Sequence, residues 1–249
     1  MFKKIGVFDS GAGGLSVLKS LIKSQKFEEI IYYGDTARVP YGVKNKETII
    51  QYSLEALDFF QSFDLDLLVV ACNTVSAYAL NAMKNAAPYD IVGVIKPGVL
   101  ALQNKISNKD SNILILGTKA TIKSNIYQNL LKEQGYHNVF GLATSLFVPI
   151  VEEGILQGEV LNSTMDFYFS KISIKPDAII LGCTHFPLIA KEIARYFENQ
   201  AILIHSGDAI MEYLHNHYSL NSFYKETKLQ FFASDGKENL ESIAKIWLS

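Results

Sequence analysis

Cysteine is scarce in this sequence, with only Cys72 and Cys183 among 249 residues. Two cysteines in a chain this long do not make a disulfide framework, so we expect a reducing compartment. Basic residues are not in excess either, because 23 Lys and Arg stand against 25 Asp and Glu, a net charge of −2. A nucleic-acid binder usually carries a basic excess or a basic stripe, and this chain shows neither. We therefore expect neither a disulfide-rich secreted domain nor a nucleic-acid partner.

Long apolar runs are also missing. The longest stretches, such as 67–72 and 178–181, fall far short of the ~20 residues that a membrane-spanning helix needs. The apolar run near the start ends at Asp9, too early for the hydrophobic region of a signal peptide. Hydrophobic residues nevertheless make up 49% of the chain, which is enough for a folded core. We expect a soluble cytoplasmic protein of one large domain or two small ones, with no membrane partner.

Short apolar runs alternate with stretches of helical periodicity along the chain. Strands that alternate with helices indicate βαβ units and a mostly parallel sheet, so the expected class is α/β. The predicted strands are 5–8, 30–33, 67–71, 91–94, 113–116, 139–142, 178–181, 202–204 and 229–232. The predicted helices are 15–23, 48–60, 75–85, 122–134, 188–197 and 238–247.

A pattern of strand ends repeats between the two halves of the chain. Asp9 follows the first predicted strand, and Cys72 follows a later buried strand 63 residues further on. Thr118 follows the strand 113–116, and Cys183 follows another buried strand 65 residues further on. Such self-similarity suggests two related α/β lobes. Ligands of open α/β sheets bind beyond the carboxyl ends of the strands, so two facing lobes would bring both thiols to one cleft.

Each cysteine lies in a polar segment at a strand end. Cys72 precedes Asn73 and Thr74 where a helix is predicted to begin, a position that stabilises a thiolate. Cys183 lies two residues before His185, and such residues share a face in extended backbone, so the imidazole can exchange a proton with the thiol. Taken alone, Cys72 would be interpreted as a small buried hydrophobe rather than as a functional thiol. The pairing of the two segments therefore carries the functional argument.

The glycine-rich turn after the first strand could bind an anion, because a helix N-terminus there offers free backbone N–H groups. The dinucleotide fingerprint G-x-G-x-x-G/A is incomplete, since Gly11 and Gly13 fit but Ser16 occupies the third position. Asp35, after the second strand, could mimic the acid that binds ribose. We favour a tight turn that needs glycine for positive φ over a nucleotide site. The loop 32–42 is expected to form a rim over a small ligand.

Two thiols across a cleft have several uses. A redox pair would more often be close in sequence, as in C-x-x-C. A zinc site of the Cys₂His type could use Cys72, Cys183 and His185. A cysteine hydrolase would leave one thiol unexplained. Inversion of a stereocentre without a cofactor needs an acid and a base on opposite faces of one carbon, and one protonated and one ionised thiol meet that need.

Four motifs resemble those of the glutamate racemases, in the cofactor-independent aspartate/glutamate racemase superfamily. They occur in the family's order, and the resemblance runs from Gly6 to at least Asp208. The motifs are 6–15 (GVFDSGAGGL), 33–42 (YGDTARVPYG), 71–74 (ACNT) and 182–187 (GCTHFP).

The resemblance implies that Cys72 acts on D-glutamate and Cys183 on L-glutamate, assisted by Asp9 and His185 respectively, with no cofactor and no metal. It implies substrate contacts at Asp9, Ser10, Pro40, Tyr41, Gly42, Asn73, Thr74, Thr118, Thr121, Glu152, Thr184 and His185. It also implies one α/β lobe formed by 1–96 with 208–249 and a second formed by 97–207.

The resemblance further implies a homodimer in a bacterial cytoplasm. Its product, D-glutamate, would supply peptidoglycan synthesis, and through it cell-wall biogenesis and cell shape. Two alternatives stay open beside this interpretation. One is aspartate racemisation within the same superfamily, and the other is a metal- or nucleotide-binding regulatory α/β protein that uses the same cleft.

Overall fold

The computed structural model describes residues 3–248, in which nine strands alternate with twelve α-helices and two short 3₁₀ helices. The strands are β1 (Lys4–Asp9), β2 (Glu29–Gly34), β3 (Leu67–Val70), β4 (Asp90–Gly93), β5 (Ile113–Gly117), β6 (Val139–Ala143), β7 (Ala178–Gly182), β8 (Ile202–Ile204) and β9 (Lys228–Ala233). The α-helices are α1 (Leu15–Lys23), α2 (Lys46–Phe60), α3 (Asn73–Tyr78), α4 (Leu80–Ala86), α5 (Ile95–Lys105), α6 (Lys119–Lys123), α7 (Ile126–Glu133), α8 (Phe147–Glu152), α9 (Glu159–Phe169), α10 (Ala190–Tyr196), α11 (Ser206–His217) and α12 (Lys237–Trp247).

The strands form two sheets in which every pair is parallel. The first sheet has the order β4-β3-β1-β2-β9, and the second has the order β6-β5-β7-β8. In the first sheet Phe8 is paired with Val70, and in the second Gly117 is paired with Gly182. The segments that follow β1 and β3 therefore start side by side, as do those that follow β5 and β7. The predicted α/β class with two mostly parallel sheets is confirmed.

The inner strands β3 and β7 are apolar because helices cover both faces of the sheets there. Every residue of β3 and β7 is buried. Side chains alternate between the two faces, so that Ile179 and Leu181 join one core while Ala178 and Ile180 join another. This burial on both faces fixes the register, since a slip of one residue would exchange the two sets.

Three predicted helices are interrupted. The segment 75–85 is divided into α3 and α4 at Ala79. The segment 122–134 is divided into α6 and α7 at Asn125, whose φ of +55° is left-handed, a conformation that asparagine tolerates. The segment 188–197 begins inside a 3₁₀ helix, Phe186–Ile189, before α10. Helical periodicity continues across these breaks, so no local pattern marks them.

Helices α5, α8, α9 and α11 were not predicted. In α5 and α8 the prolines Pro97 and Pro149 stand near the helix start, where the missing N–H is tolerated. Helix α11 packs on both α1 and α5, and α5 itself packs on β7 and β8, so α11 joins the helical layers of the two sheets. The lobe limits near 96 and 208 fall at the starts of α5 and α11 and stay a prediction. None of the helices formed by residues 3–248 has the length and apolar character needed to cross a membrane.

Candidate active site

The carboxyl ends of β3 and β7 place Cys72 and Cys183 on the wall of one cavity. Both cysteines are buried, with 5% and 6% of their surface exposed, and neither forms a disulfide. The cavity lining consists of Ser10, Val39, Pro40, Tyr41, Gly42, Cys72, Asn73, Thr74, Thr118, Val148, Gly182, Cys183, Thr184 and His185. Strand-end residues from both sheets thus line one cavity.

Cys72 stands at the N-terminal cap of α3, with its Sγ 3.4 Å from the Oγ of Ser10. Burial, and after it the neighbouring Asp9, raise the pKa of this thiol to about 12, against smaller opposing contributions from Ser10 and the Val75 backbone. The helix N-terminus was expected to favour a thiolate here, but loss of solvation outweighs it. At neutral pH, Cys72 is therefore a protonated thiol.

Asp9 lies behind the cavity wall and is fully buried. Its carboxylate accepts hydrogen bonds from the backbone N–H of Gly11 at 3.0 Å and from the hydroxyl of Thr184 at 3.3 Å. Burial raises the pKa of Asp9, while the charge of His185 and the hydrogen bonds oppose that shift. The Thr184 bond crosses between the two sheets, so Asp9 connects the Cys72 side of the cavity with the Cys183 side.

Cys183 faces an imidazole rather than a hydroxyl. Its Sγ lies 3.7 Å from the Nδ1 of His185, and the Nε2 of the same ring lies 3.0 Å from the Oε1 of Glu152. Burial alone would lower the pKa of His185, but Cys183 and Glu152 together outweigh it and raise the pKa to about 10. His185 is therefore an imidazolium at neutral pH. Glu152 does not line the cavity and acts on it through His185.

Three threonines from both halves of the chain meet in one buried cluster. The Oγ1 of Thr74 lies 3.0 Å from that of Thr118 and 3.2 Å from that of Thr121, and the latter two are 3.1 Å apart. Thr118 also caps α6 by accepting from the Thr121 backbone N–H. A Cβ added to Gly42 would lie 2.4 Å from the Cβ of Thr118, so the rim needs glycine to pack here.

A buried carboxylate holds the rim of the cavity. Asp35 accepts hydrogen bonds from the Tyr41 hydroxyl and, at 2.6 Å, from the guanidinium of Arg38. Arg38 also binds Glu55, and its guanidinium carbon lies 4.1 Å above the ring of Tyr52. Burial and Asp35 raise the pKa of Tyr41 far above its ordinary value. Asp35 is thus committed to the rim and does not serve as a ribose-binding acid.

The glycine-rich turn after β1 packs against the Cys183 segment of the other half of the chain. A Cβ on Gly13 would lie 2.4 Å from the Oγ1 of Thr184 and 2.6 Å from the ring of His185. Within the described region the positive-φ glycines are Gly135, Gly154, Gly158 and Gly236, and none belongs to this turn. The expectation that the turn needs glycine for positive φ is wrong. It needs glycine because the backbone approaches the Cys183 segment closely.

Several residues of the site were missed by the sequence analysis. Val39, Val148 and Gly182 line the cavity, and the hydroxyl of Tyr127 donates to the Oδ1 of Asn73 at 2.7 Å. Val39 and Gly182 lie inside the motifs 33–42 and 182–187, so these motifs could have identified them as cavity residues. The other two lie on α8 and α7, whose placement no local pattern reveals.

The residues proposed for zinc do not assemble as a metal site. Across residues 3–248, no group of three or more His, Cys, Asp or Glu side chains is arranged to hold a metal ion. The site therefore offers two thiols, an imidazolium, buried hydroxyls and an amide, which suits proton transfer and the binding of carboxylates.

Comparison with known proteins agrees with this arrangement. The Asp/Glu/Hydantoin racemase family matches residues 5–214. The chain belongs to this family. The glutamate racemase of Campylobacter jejuni is 55% identical over 246 residues, which cover 99% of this chain and 98% of that protein.

Two solved structures extend the comparison. A crystal structure of glutamate racemase from Campylobacter jejuni has a TM-score of 0.97 and 56% identity, and covers 98% of both chains. The glutamate racemase of Francisella tularensis, solved in complex with D-glutamate, has a TM-score of 0.86 at 32% identity, over 99% of this chain and 93% of that one.

Proposed function

We propose that this protein interconverts L- and D-glutamate by proton transfer at Cα between two thiols, without a cofactor. The observation that carries the proposal is that Cys72 and Cys183, from equivalent strand ends, line one cavity. Glutamate is the substrate of choice because relatives that cover nearly the whole chain are glutamate racemases. The enzyme is then an isomerase.

The charges of the resting site set the direction of the first proton transfer. Cys72 is a protonated thiol, and the His185 imidazolium can balance a thiolate at Cys183. A Cys183 thiolate removes the Cα proton of L-glutamate, and the Cys72 thiol then delivers its proton to the opposite face of the planar intermediate. The products are D-glutamate, a Cys183 thiol and a Cys72 thiolate. The reverse reaction starts from that second protonation state.

The polar groups of the wall would hold the charged ends of the substrate. Nine of the twelve proposed substrate positions line the cavity, and the other three act from behind it. Asp9 acts through Thr184, and Glu152 acts through His185. Thr121 acts through the hydroxyls of the threonine cluster. Hydroxyl and amide donors in a poorly solvated cavity bind carboxylates strongly.

The biological role follows from the product. We propose that D-glutamate made here supplies peptidoglycan synthesis, and thereby cell-wall biogenesis and cell shape, in a bacterial cytoplasm. The support is that the matched glutamate racemases come from bacteria. We also propose a homodimer, by resemblance to the family. The lobes 1–96 with 208–249 and 97–207 remain part of the proposal, supported by the pairing of β9 with β2.

The test is to incubate the purified protein with L-glutamate or D-glutamate in D₂O. We expect optical rotation to fall to zero from either isomer, with deuterium at Cα of the inverted product. A folded protein that leaves the rotation of L-glutamate constant would contradict the proposal.

The same assay separates the alternatives. A kcat/KM for aspartate above that for glutamate would favour an aspartate racemase. One equivalent of bound zinc, or tight NAD(H) binding, without isomerisation of either amino acid would favour a regulatory protein.

A further inference from the structure

The hydroxyl of Tyr127 reaches the cavity wall from the far half of the chain. Tyr127 lies on α7, follows a strand of the second sheet and is 1% exposed. Its hydroxyl donates to the side-chain oxygen of Asn73, which lies on α3 beyond the first sheet, at 2.7 Å. This is a buried hydrogen bond between residues 54 positions apart, directly beside Cys72.

The amide of Asn73 is only half satisfied by this contact. Asn73 is 2% exposed and lines the cavity. An amide side chain has one acceptor oxygen and one donor NH₂ group. The oxygen is taken by Tyr127, while the buried Nδ2 has no hydrogen-bond partner within residues 3–248. Because a buried unpaired donor is costly, this NH₂ group is suited to a ligand that accepts hydrogen bonds.

The orientation of the amide follows from the tyrosine. Burial raises the pKa of Tyr127, so its hydroxyl stays protonated, and it donates that proton to the Asn73 oxygen. Reversal of the amide would let the hydroxyl oxygen accept from the Nδ2, but it would leave the hydroxyl proton without its acceptor and would put the amide oxygen where the Nδ2 now lies.

The tyrosine ring is held in place by the core around it. Tyr127 belongs to the same buried core as Val99 of α5 and Ile180 of β7. A Cβ on Gly182 would lie 3.4 Å from the Cε2 of Tyr127, so the ring passes close to the residue that directly precedes Cys183. Because the side chain is 1% exposed in a packed core, the hydroxyl stays next to Asn73.

We propose that Tyr127 is a positioning residue whose hydroxyl holds the Asn73 amide with its N–H groups turned into the cavity, where they donate to a carboxylate of the substrate. The inference rests on the proposed function for the identity of that substrate. Without the hydroxyl, the amide can turn its oxygen towards the carboxylate, and two acceptors repel each other.

The first test compares Tyr127→Phe with Tyr136→Phe by steady-state kinetics in both directions. For Tyr127→Phe we expect KM for L- and D-glutamate to rise by about five- to fifty-fold, with a smaller change in kcat. Tyr136 is equally buried and donates to the carbonyl of Ile106 at 2.5 Å, away from the cavity. Its variant should lose thermal stability but keep the KM of the unaltered protein.

The second test asks whether Tyr127 acts through Asn73. In an Asn73→Ala background, Tyr127→Phe should add no further increase in KM, because there is no amide left to orient. A purely structural role would give the same added effect in both backgrounds. A full additional increase, or an unchanged KM in Tyr127→Phe alone, would overturn the inference.

A third variant covers the case in which Tyr127→Phe does not fold, as judged by circular dichroism. Asn73→Asp keeps an acceptor for Tyr127 but replaces the donor group, so KM should rise at least as much. An unchanged KM would again overturn the inference. If the unaltered protein does not isomerise glutamate, the proposed function fails and this inference fails with it. If it does, an unchanged KM in these variants refutes only the inference.

Discussion

Cys72 and Cys183 occupy equivalent strand ends, yet their surroundings differ in charge. Cys72 faces the neutral hydroxyl of Ser10, with the buried carboxyl of Asp9 nearby, and its pKa is raised to about 12. Cys183 faces His185, whose pKa is raised to about 10. The proposed inversion needs an acid on one face of the carbon and a base on the other, and this asymmetry suits Cys72 to the acid and places a positive charge beside Cys183.

The difference also shows what the repeat does not dictate. Repetition of a strand-end thiol places two sulfurs symmetrically about a cavity. The groups that differ between the two sides are Asp9 and Ser10 at the end of β1, near Cys72, and His185 with Glu152, near Cys183. Symmetry in the backbone is thus combined with asymmetry in protonation.

Removal of either thiol should have the largest effect. We expect Cys72→Ala and Cys183→Ala each to lower the racemisation rate by about 10²–10⁴-fold or more, since each loses one partner of the proton transfer. In D₂O, Cys72→Ala should exchange the Cα proton of L-glutamate only, and Cys183→Ala that of D-glutamate only, both without inversion. Proton NMR of the recovered isomers measures this. Inversion at the normal rate by either variant would contradict the two-thiol mechanism.

The charge of the His185 imidazolium beside Cys183 can be tested selectively through Glu152. In Glu152→Gln the pKa of His185 should fall from about 10, because one of the two groups that raise it loses its charge. The alkaline limb of the kcat/KM profile should then move to lower pH by roughly half to one unit.

The matched control is Glu153→Gln, the adjacent exposed carboxylate. Its pH profile should coincide with that of the unaltered protein. Since the equilibrium constant between mirror-image substrates is one, kcat/KM must change equally in both directions. A profile that does not move in Glu152→Gln would show that His185 is not the group that titrates.

Sequence reasoning placed the sheets and the strand ends well. Buried parallel strands are read as continuous apolar runs, so β3 and β7, and with them Cys72 and Cys183, were found from local pattern alone. The family motifs could also be identified residue by residue, because their residues lie next to the strands in the sequence.

The parts that sequence reasoning missed depend on distant contacts. The breaks that separate α3 from α4 and α6 from α7 interrupt a periodicity that continues through them. Tyr127 reaches Asn73 across 54 positions only because α7 starts afresh after the left-handed Asn125. The pKa of Cys72 was misjudged for a related reason, since the degree of burial is a property of the assembled cavity.

The rim follows β2 of the first sheet and packs against Thr118 of the other half of the chain, and Asp35 tests how the rim is held. Asp35→Asn should reduce the free energy of unfolding by about 2 kcal/mol, because a buried charged acceptor of Arg38 and Tyr41 is lost. Urea denaturation measures this. Glu55, the exposed partner of the same arginine, provides the control, and Glu55→Gln should leave stability nearly unchanged. Equal effects of the two substitutions would mean that burial does not distinguish them.

The smallest expected effect concerns the paired residues at the start of the strands, which are charged in the first sheet and apolar in the second. In the first sheet Glu29 is paired with Lys4 on one side and Lys228 on the other, at 3.1 Å and 2.7 Å. In the second sheet the corresponding pairs are apolar, namely Ile113 with Val139 and with Ala178. A charged row therefore holds β9 to the first sheet, where the second sheet relies on apolar contacts.

The charged row makes the stability of the first sheet depend on acid. Lys228 is the main cause that lowers the pKa of Glu29 to about 2 from 4.5, so its contribution is present above pH 4.5 and is lost as pH falls through about 2. Glu29→Gln should cost about 0.5–1 kcal/mol at pH 7, discounted for the exposure of Lys228, and nothing near pH 2. Urea denaturation from pH 2 to 7 measures the difference, with Glu28→Gln as the exposed neighbouring control. A loss that stays constant across this range would mean that packing of the side chain, rather than its charge, joins β9 to the sheet.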